Sequence, residues 1–252
     1  MTNTSTTFIQ QRVTEINLAG GEPTLWPHLI ELAQYIRSKG LRVSLIHNGS
    51  APLELYRRIA PYLTTCGFSI DSVNPDFQQK MGRCFRDGQV ISADEYAEKF
   101  RVLRSVNPDI KIKVNTVVNR VNLDDNLAPQ IMAWGVDRWK FLCCMPFSDG
   151  THDNAHMVIS EAEYASYMQR LLANLHSSYH PGQYRYRTGN TLIVAEPSLA
   201  GSYIMVDANG CLVDDTKNSS YTKVGDLRHD DFREALSRLT LYEDLYQSRY
   251  EA

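Results

Sequence analysis

A short loop near the amino terminus combines residue types that can hold a small, positively charged group. A β-prone run at residues 16–18 leads into the motif Gly20-Gly-Glu-Pro23. The two glycines can adopt positive φ and carry no Cβ, so a ligand can lie against bare backbone. Glu22 places a negative charge beside that surface, and its simplest partner is an ammonium group. The alternative is an ordinary strand-to-helix turn.

Two later segments carry cations at alternating positions. In residues 110–118, Lys111, Lys113 and Asn115 share one face of a predicted strand, and apolar side chains occupy the other. Arg138 and Lys140 alternate in the same way with aromatic residues. If the apolar faces meet helices, these cations point into the interior, where an anion such as phosphate must neutralise them. The alternative is an open-edge strand whose cations face solvent.

The elements that position these residues alternate between strand-like and helix-like patterns. Amphipathic spacing and capping residues predict helices at residues 26–40, 52–60, 74–83, 93–105, 127–134, 161–176 and 230–239. Strands are predicted at residues 16–18, 41–46, 67–70, 110–118, 138–145, 202–206 and 211–213, with a hairpin turn at 207–210, whereas residues 184–195 are ambiguous. Four β-then-α units are visible, so the sequence predicts an α/β fold with a parallel sheet covered by helices.

Small polar residues recur where the predicted strands end. Since parallel strands all end at one edge of a sheet, the residues that follow them build the site in such folds. Asn and Ser also favour turns for local reasons, so each one alone is weak support for a site. Their joint recurrence indicates a binding edge formed by Gly20, Gly21, Glu22, Asn48, Ser50, Asp71, Ser72, Asn119 and Arg120.

Composition narrows the class of ligand. The chain has 252 residues, 43% of them hydrophobic, and a formal net charge of −3. This charge gives no general attraction to nucleic acid or to an anionic membrane, so a small molecule is the expected partner. The first residues lack a secretory pattern, no run reaches transmembrane length, and five cysteines lack disulfide spacing. We therefore expect a cytoplasmic protein.

Several motifs in register resemble the radical S-adenosylmethionine (SAM) superfamily. Gly20-Gly-Glu-Pro23, His47-Asn-Gly-Ser50 and Phe68-Ser-Ile-Asp-Ser72 each follow a predicted strand. Further motifs are similar to the viperin branch, and especially to its prokaryotic members. They are Lys113-Val-Asn-Thr-Val-Val-Asn-Arg120, Asp137-Arg-Trp-Lys140 and Gly201-Ser-Tyr-Ile-Met-Val-Asp207. The resemblance covers nearly the whole chain from about Ile9 onward.

This resemblance implies a partial (β/α)6 barrel that binds SAM and a [4Fe–4S] cluster and acts on a nucleoside triphosphate. In the family, loss of the 3′ hydroxyl gives a 3′-deoxy-3′,4′-didehydro nucleotide that terminates viral RNA chains. CTP, UTP and GTP remain open as substrates, and the expected electron donor is a flavodoxin or ferredoxin. The implied domains are residues 1–14, a remnant of the first barrel helix; 15–180, a barrel without its first strand; and 181–252, a carboxyl-terminal extension that closes the substrate pocket.

The resemblance also implies a role for individual residues. The cofactor-binding set is Gly20, Gly21, Glu22, Asn48, Ser50, Ser69 and Arg83, of which Ser69 and Arg83 hold the methionine carboxylate. The nucleotide-binding set is Asn17, Lys113, Asn115, Arg138 and Lys140. Tyr203 is implied as the hydrogen donor that completes the reaction. A strand tyrosine with a surface hydroxyl is the alternative for Tyr203.

One motif of the superfamily is absent from this sequence. The Cys-x3-Cys-x2-Cys loop that ligates the cluster is not present, and the five cysteines, at positions 66, 84, 143, 144 and 211, have no iron–sulfur ligand spacing. We therefore predict no metal-ligating residues, and expect this polypeptide as it stands to be unable to form the radical. Either the chain is a truncated form of a longer enzyme, or it is a natural cluster-less protein that binds nucleotide or SAM in a regulatory role.

Overall fold

The computed structural model describes residues 13–147, 153–180, 182–196, 201, 203–216 and 221–242. The chain divides into two compact units, one spanning residues 14–197 and the other holding the described residues from Gly201 onward. The predicted helix remnant at residues 1–14 lies outside the described residues apart from Val13 and Thr14. In the part of the chain that is described, no helix is long and apolar enough to cross a bilayer.

The first unit is built on a seven-stranded sheet. Its strands are β1 (Glu15–Leu18), β2 (Arg42–His47), β3 (Thr65–Ser69), β4 (Lys111–Val118), β5 (Arg138–Cys143), β6 (Arg185–Thr188) and β7 (Thr191–Glu196). The spatial order is β1-β2-β3-β4-β5-β7-β6, in which β1 to β5 and β7 run parallel and β6 is antiparallel at the edge. The predicted α/β fold with a parallel sheet is confirmed.

Six α-helices connect these strands. They are α1 (Leu29–Ser38), α2 (Leu53–Ile59), α3 (Pro75–Lys80), α4 (Ala93–Val106), α5 (Ala128–Trp134) and α6 (Glu161–Asn174). Capping boxes begin α4 at Ser92 and α6 at Ser160, because each serine and the glutamate three residues later satisfy one another's backbone N–H groups. Short 3₁₀ turns lie at Pro23–Leu25, Ala60–Tyr62 and Ala155–Met157.

The helices cover one face of the sheet and bury its central strands. Leu45, Phe68, Val114, Trp139 and Ile193 come from five neighbouring strands and have 0% exposure. They belong to one core cluster with residues of helices α1, α2, α4, α5 and α6. Alternation along each strand therefore leaves the opposite face to the other half of the side chains, and that face carries the polar residues.

The ambiguous segment at residues 184–195 is a hairpin, and its second strand is inserted beside β5. Gly189 takes a φ of +54° in the turn between β6 and β7. Three consecutive residues of β7, Ile193 to Ala195, are buried, so the strand shows no alternation by which the sequence could identify it. β6 and β7 both come after residue 180, where the carboxyl-terminal extension was predicted to begin. Both belong to the sheet of the first unit.

The strand order tests the alternative that the cation-bearing strands β4 and β5 lie at an open edge of the sheet. β4 lies between β3 and β5, and β5 lies between β4 and β7. Both strands are interior, so the open-edge explanation is wrong, although Lys111 at the start of β4 is exposed and pairs with Asp137 at 3.1 Å.

The second unit contains a three-stranded antiparallel sheet and one short helix. Its elements are β8 (Met205–Val206), β9 (Cys211–Asp214), β10 (Thr222–Asp226) and α7 (Phe232–Ser237). The predicted turn between β8 and β9 is confirmed, with Asp207 Oδ1 accepting from the N–H groups of Asn209 and Cys211 at 2.9 and 2.8 Å. Asp231 caps α7, whereas Asp230 accepts from the Asp226 N–H at 2.9 Å and stays outside the helix.

Candidate functional site

The polar face of the sheet brings the predicted nucleotide-binding residues into two adjacent rows. Lys113 of β4 lies level with Arg138 of β5, and Asn115 lies level with Lys140 one step further along the same strands. Level residues on parallel neighbours point to the same face, opposite the helix-covered core. Four of the five predicted residues are therefore neighbours. The fifth, Asn17, is exposed on β1 at the far edge, level with Ser44 of β2.

A carboxylate lies next to one of these cations. Lys140 forms an ion pair with Glu196 at the end of β7, and only 5% and 15% of their side chains are exposed. The sequence pattern predicted that inward cations require an anion, and the protein supplies one of its own. The sequence pattern could not identify Glu196 as this partner, because its position depends on the insertion of β7 beside β5. A separate pair at the edge joins Glu15 to Arg42 at 3.0 Å.

Asn115 carries an unsatisfied polar atom at the centre of this face. The residue is 7% exposed, and its buried Oδ1 has no hydrogen-bond partner among the described residues. Buried acceptors are almost always paired, and an exception in a native protein indicates a ligand, a water or strain. Asn115 lies level with Ser69 on one side and Lys140 on the other. Two predicted binding sets therefore meet at this residue.

The predicted glycine loop follows β1 and has the expected conformation. Gly20 and Gly21 adopt φ of +94° and +51°, and a Cβ at either position would meet no atom within 4 Å. Their backbone therefore borders open space. Glu22 is half-buried, and its Oε1 accepts from the N–H of Thr24 at 3.0 Å. The loop can hold a ligand against backbone with a carboxylate alongside, as the sequence indicated.

The second predicted loop is tied to the first. Glu22 Oε2 accepts from the Asn48 N–H at 2.8 Å, and Asn48 Oδ1 accepts from the Ser50 N–H at 2.8 Å. Below this turn lies His47, which is 2% exposed and accepts from the Gly49 N–H at Nδ1 at 3.0 Å. Burial, and then the charge of Lys99, lowers the pKa of His47 to about 3. The imidazole is therefore neutral and fixes the turn that presents Asn48 and Ser50.

Arg83, predicted to hold a carboxylate with Ser69, is oriented by the protein. Its Nε and Nη2 both lie 2.7 Å from Oδ2 of Asp71, whose side chain is 4% exposed. Ser69 is half-buried at the end of β3, two residues before Asp71. The sequence placed Asp71 at a strand exit without a role, and the structure shows it as the partner of Arg83.

Tyr203 is half-buried in the second unit, two residues before β8. The structure therefore leaves its proposed role as a prediction.

The five cysteines do not form a cluster site. All of them fall in the described part of the chain, and no group of three metal-ligating side chains is present there. Burial raises the pKa of Cys66 strongly and raises the pKa of Cys143 and Cys144, which favours the neutral thiol over the thiolate that iron requires. These residues do not fit a [4Fe–4S] cluster. The glycine loop, in contrast, offers open backbone beside a carboxylate, and Asn115 offers a buried acceptor to a ligand.

Comparison with known proteins relates this arrangement to a family. The Radical SAM superfamily model matches residues 6–126. The S-adenosylmethionine-dependent nucleotide dehydratase of Selenomonas ruminantium is 34% identical, over 94% of this chain and 82% of its own length. The protein of that name from Fibrobacter sp. (strain UWH6) is 28% identical, over 97% of this chain and 73% of its own.

Solved structures show the same fold at low identity. Native anSMEcpe with bound AdoMet is 12% identical, with a TM-score of 0.61 over 96% of this chain and 72% of that one. Streptococcus suis SuiB bound to S-adenosylmethionine is 12% identical, with a TM-score of 0.60 over 94% of this chain and 56% of that one. The predicted partial barrel is confirmed, and the family implies SAM and an iron–sulfur cluster. The chain belongs to the S-adenosylmethionine-dependent nucleotide dehydratases of the radical SAM superfamily.

Proposed function

We propose that this protein serves the SAM-dependent dehydration of a nucleoside triphosphate to its 3′-deoxy-3′,4′-didehydro analogue, a chain terminator in antiviral defence. Net loss of one water distinguishes product from substrate. The names of the relatives support a nucleotide as substrate. CTP, UTP and GTP are the candidate substrates.

The observation that carries this proposal is the pair of rows on the polar face. Lys113 and Arg138 lie level on adjacent interior strands, and Lys140, which is paired with Glu196, lies one step further along. A sheet interior with this charge density suits a ligand that carries several negative charges, and a triphosphate has that character. Asn115 adds a buried acceptor beside them, which suits a hydroxyl or amino group of the nucleoside.

The loops after β1, β2 and β3 are the proposed SAM site. In this proposal Glu22 and the backbone of Gly20 and Gly21 bind the methionine ammonium group, and Ser69 with Arg83 binds the carboxylate. Asn48 and Ser50 line the same pocket. SAM supplies the 5′-deoxyadenosyl group that such enzymes use. The residues of this chain bind and orient SAM, and we assign them no part in cluster ligation.

Two further roles remain proposals. Tyr203 is the proposed hydrogen donor that completes the reaction, and Tyr203→Phe should therefore abolish turnover while leaving nucleotide affinity unchanged. A flavodoxin or ferredoxin is the proposed reductant.

A second candidate function follows from the cysteines. Because the described residues do not fit a cluster, this polypeptide can also act as a nucleotide- and SAM-binding regulatory protein without redox chemistry. The same pocket serves both functions, so binding alone does not separate them.

The experiment that separates them is anaerobic iron–sulfide reconstitution followed by product analysis. The chain is compared with a version extended at its amino terminus by a Cys-x3-Cys-x2-Cys segment, each with SAM, dithionite and mixed nucleoside triphosphates. The proposal predicts iron uptake, 5′-deoxyadenosine and a nucleotide lighter by one water only for the extended version. If neither version forms product while both bind nucleotide, the regulatory function holds and the enzymatic one is wrong.

A further inference from the structure

Asp71 occupies the point where β3 leaves the sheet. The parallel ladder continues to the Ile70 N–H, which donates to the Asn115 carbonyl at 2.9 Å. At the next step the side chain replaces the backbone, because Asp71 Oδ1 accepts from the Val117 N–H at 2.7 Å. The backbone carbonyl of Asp71 accepts from Asn122 Nδ2 at 3.0 Å, and Asn122 is 1% exposed. Asp71 is therefore held at two oxygens, Oδ1 and the backbone carbonyl, by described residues.

The second carboxylate oxygen is used entirely on Arg83. Oδ2 receives both Nε and Nη2, each at 2.7 Å. This geometry uses the Nε and Nη2 side of the guanidinium. Nη1, at the outer end, has no partner among the described residues. The Arg83 side chain is 36% exposed, against 4% for Asp71. A guanidinium held in this way presents its outer end for a second, bidentate contact with a carboxylate.

We propose that Asp71 is the positioning residue of the SAM site and that it acts through Arg83. It fixes the Arg83 guanidinium so that the outer end meets the methionine carboxylate of SAM, which rests on the proposed function. Asp71 does not touch the ligand. Because Asp71 fixes the Arg83 side chain before SAM binds, less conformational entropy is lost on binding.

The test uses Asp71→Asn, which keeps an oxygen for the Val117 N–H but removes the charge and one acceptor for Arg83. We expect SAM affinity, measured by calorimetry, to fall roughly ten- to a hundredfold, the range of a charged hydrogen bond. Affinity for 5′-methylthioadenosine, which lacks the amino-acid part, should not change. Nucleoside triphosphate affinity should not change either, which a general loss of folding would not reproduce.

A double-mutant cycle with Arg83→Gln identifies the route of the effect. If Asp71 acts through Arg83, Asp71→Asn should cause less than a twofold further loss of SAM affinity in the Arg83→Gln background. The control is Glu98→Gln, which weakens an exposed pair with Arg101 on α4 and should leave all three affinities unchanged. Additive losses in the cycle, or equal losses for SAM and methylthioadenosine, would overturn the proposal. If wild type binds methylthioadenosine as tightly as SAM, the amino-acid part of SAM adds no affinity. The proposed SAM site itself is then wrong.

Discussion

The Glu22 carboxylate and the Asn48 N–H join the ends of β1 and β2 through a hydrogen bond of 2.8 Å. The other oxygen of Glu22 accepts from the Thr24 N–H at 3.0 Å, so one side chain holds two backbone donors of the loops proposed to bind SAM. The carboxylate therefore holds the loops of the proposed pocket in place and also gives the pocket a negative charge.

Replacing Glu22 by glutamine should separate these two contributions. Glu22→Gln has a single side-chain oxygen, so one of the two backbone donors loses its acceptor, at a cost of about 1 kcal/mol in the free energy of unfolding. SAM affinity should fall at least about tenfold, because the charge that meets the ammonium group is gone. Urea unfolding and calorimetry measure the two effects. The control is Glu31→Gln, at an exposed position of helix α1. Unchanged SAM affinity in Glu22→Gln would show that Glu22 is purely structural.

Asn115 and Thr116 are neighbours on β4 with opposite hydrogen-bond states. Asn115 Oδ1 is buried without a partner in the described part of the chain, whereas Thr116 Oγ1 donates to the Ile70 carbonyl at 2.7 Å and accepts from Trp139 Nε1 at 2.9 Å. Thr116→Val should therefore destabilise the protein by about 1–3 kcal/mol, since it strands a buried indole N–H and a carbonyl.

Asn115→Val should behave in the opposite way. Removing an unsatisfied acceptor should leave the free energy of unfolding unchanged or raise it by up to about 1 kcal/mol, while nucleotide affinity falls, because the acceptor serves the ligand. Denaturant unfolding of the two valine variants, with nucleotide titrations, checks both statements. Equal destabilisation by the two substitutions would show that Asn115 is structural.

His47 should make stability depend on pH in the weakly acidic range. Its pKa is about 3 in the fold, through burial and then the charge of Lys99, against 6.5 for the free side chain. Between these values the unfolded chain binds a proton that the folded chain does not, so stability falls as pH decreases. The slope from this group is about 1.4 kcal/mol per pH unit.

Unfolding measured from pH 6.5 to 5 in wild type and His47→Asn tests this contribution. The asparagine retains an acceptor for the Gly49 N–H but cannot titrate, so its profile should be flatter by about 1 kcal/mol per pH unit. Exposed His28→Asn is the control and should keep the wild-type slope. Identical slopes in His47→Asn and wild type would contradict a neutral, buried His47.

Gly49 is required by conformation and by space together. Its φ is +86°, and a Cβ there would lie 2.7 Å from Cε1 of Tyr96. Gly82 has a φ of +70° but open space around its Cβ position. Gly82→Ala should thus cost about 1 kcal/mol for strain alone, and Gly49→Ala about 2–4 kcal/mol. Thermal unfolding compares the two, and equal losses would mean that Tyr96 moves aside freely.

Local sequence patterns predicted which face of the sheet each side chain occupies. They did not predict which residues lie next to one another. Alternation in β4 and β5 predicted that Lys113, Asn115, Arg138 and Lys140 share the polar face, because a period of two is a property of each strand alone. The contact of Lys140 with Glu196 could not be predicted in this way. It depends on β7 crossing to lie beside β5, and β7 shows no alternation because its central residues are buried.

The glycine loop and Arg83 show the same division. Gly20, Gly21 and Glu22 were predictable, since positive φ and a missing Cβ are properties of the residues themselves. Arg83 was predicted to bind a carboxylate, but its protein partner Asp71 lies across a loop that only the fold closes. Site residues were therefore easier to predict than the residues that orient them.

The most direct test of the central claim is the affinity of the polar face for a triphosphate. Calorimetry compares a nucleoside triphosphate with its parent nucleoside, in wild type and in Lys113→Gln and Arg138→Gln variants, with exposed Lys39→Gln as the control. We predict that wild type prefers the triphosphate by at least about a hundredfold and that each site variant loses about tenfold for the triphosphate alone. Equal affinity of wild type for nucleoside and triphosphate, or full triphosphate binding by both site variants, would contradict this account.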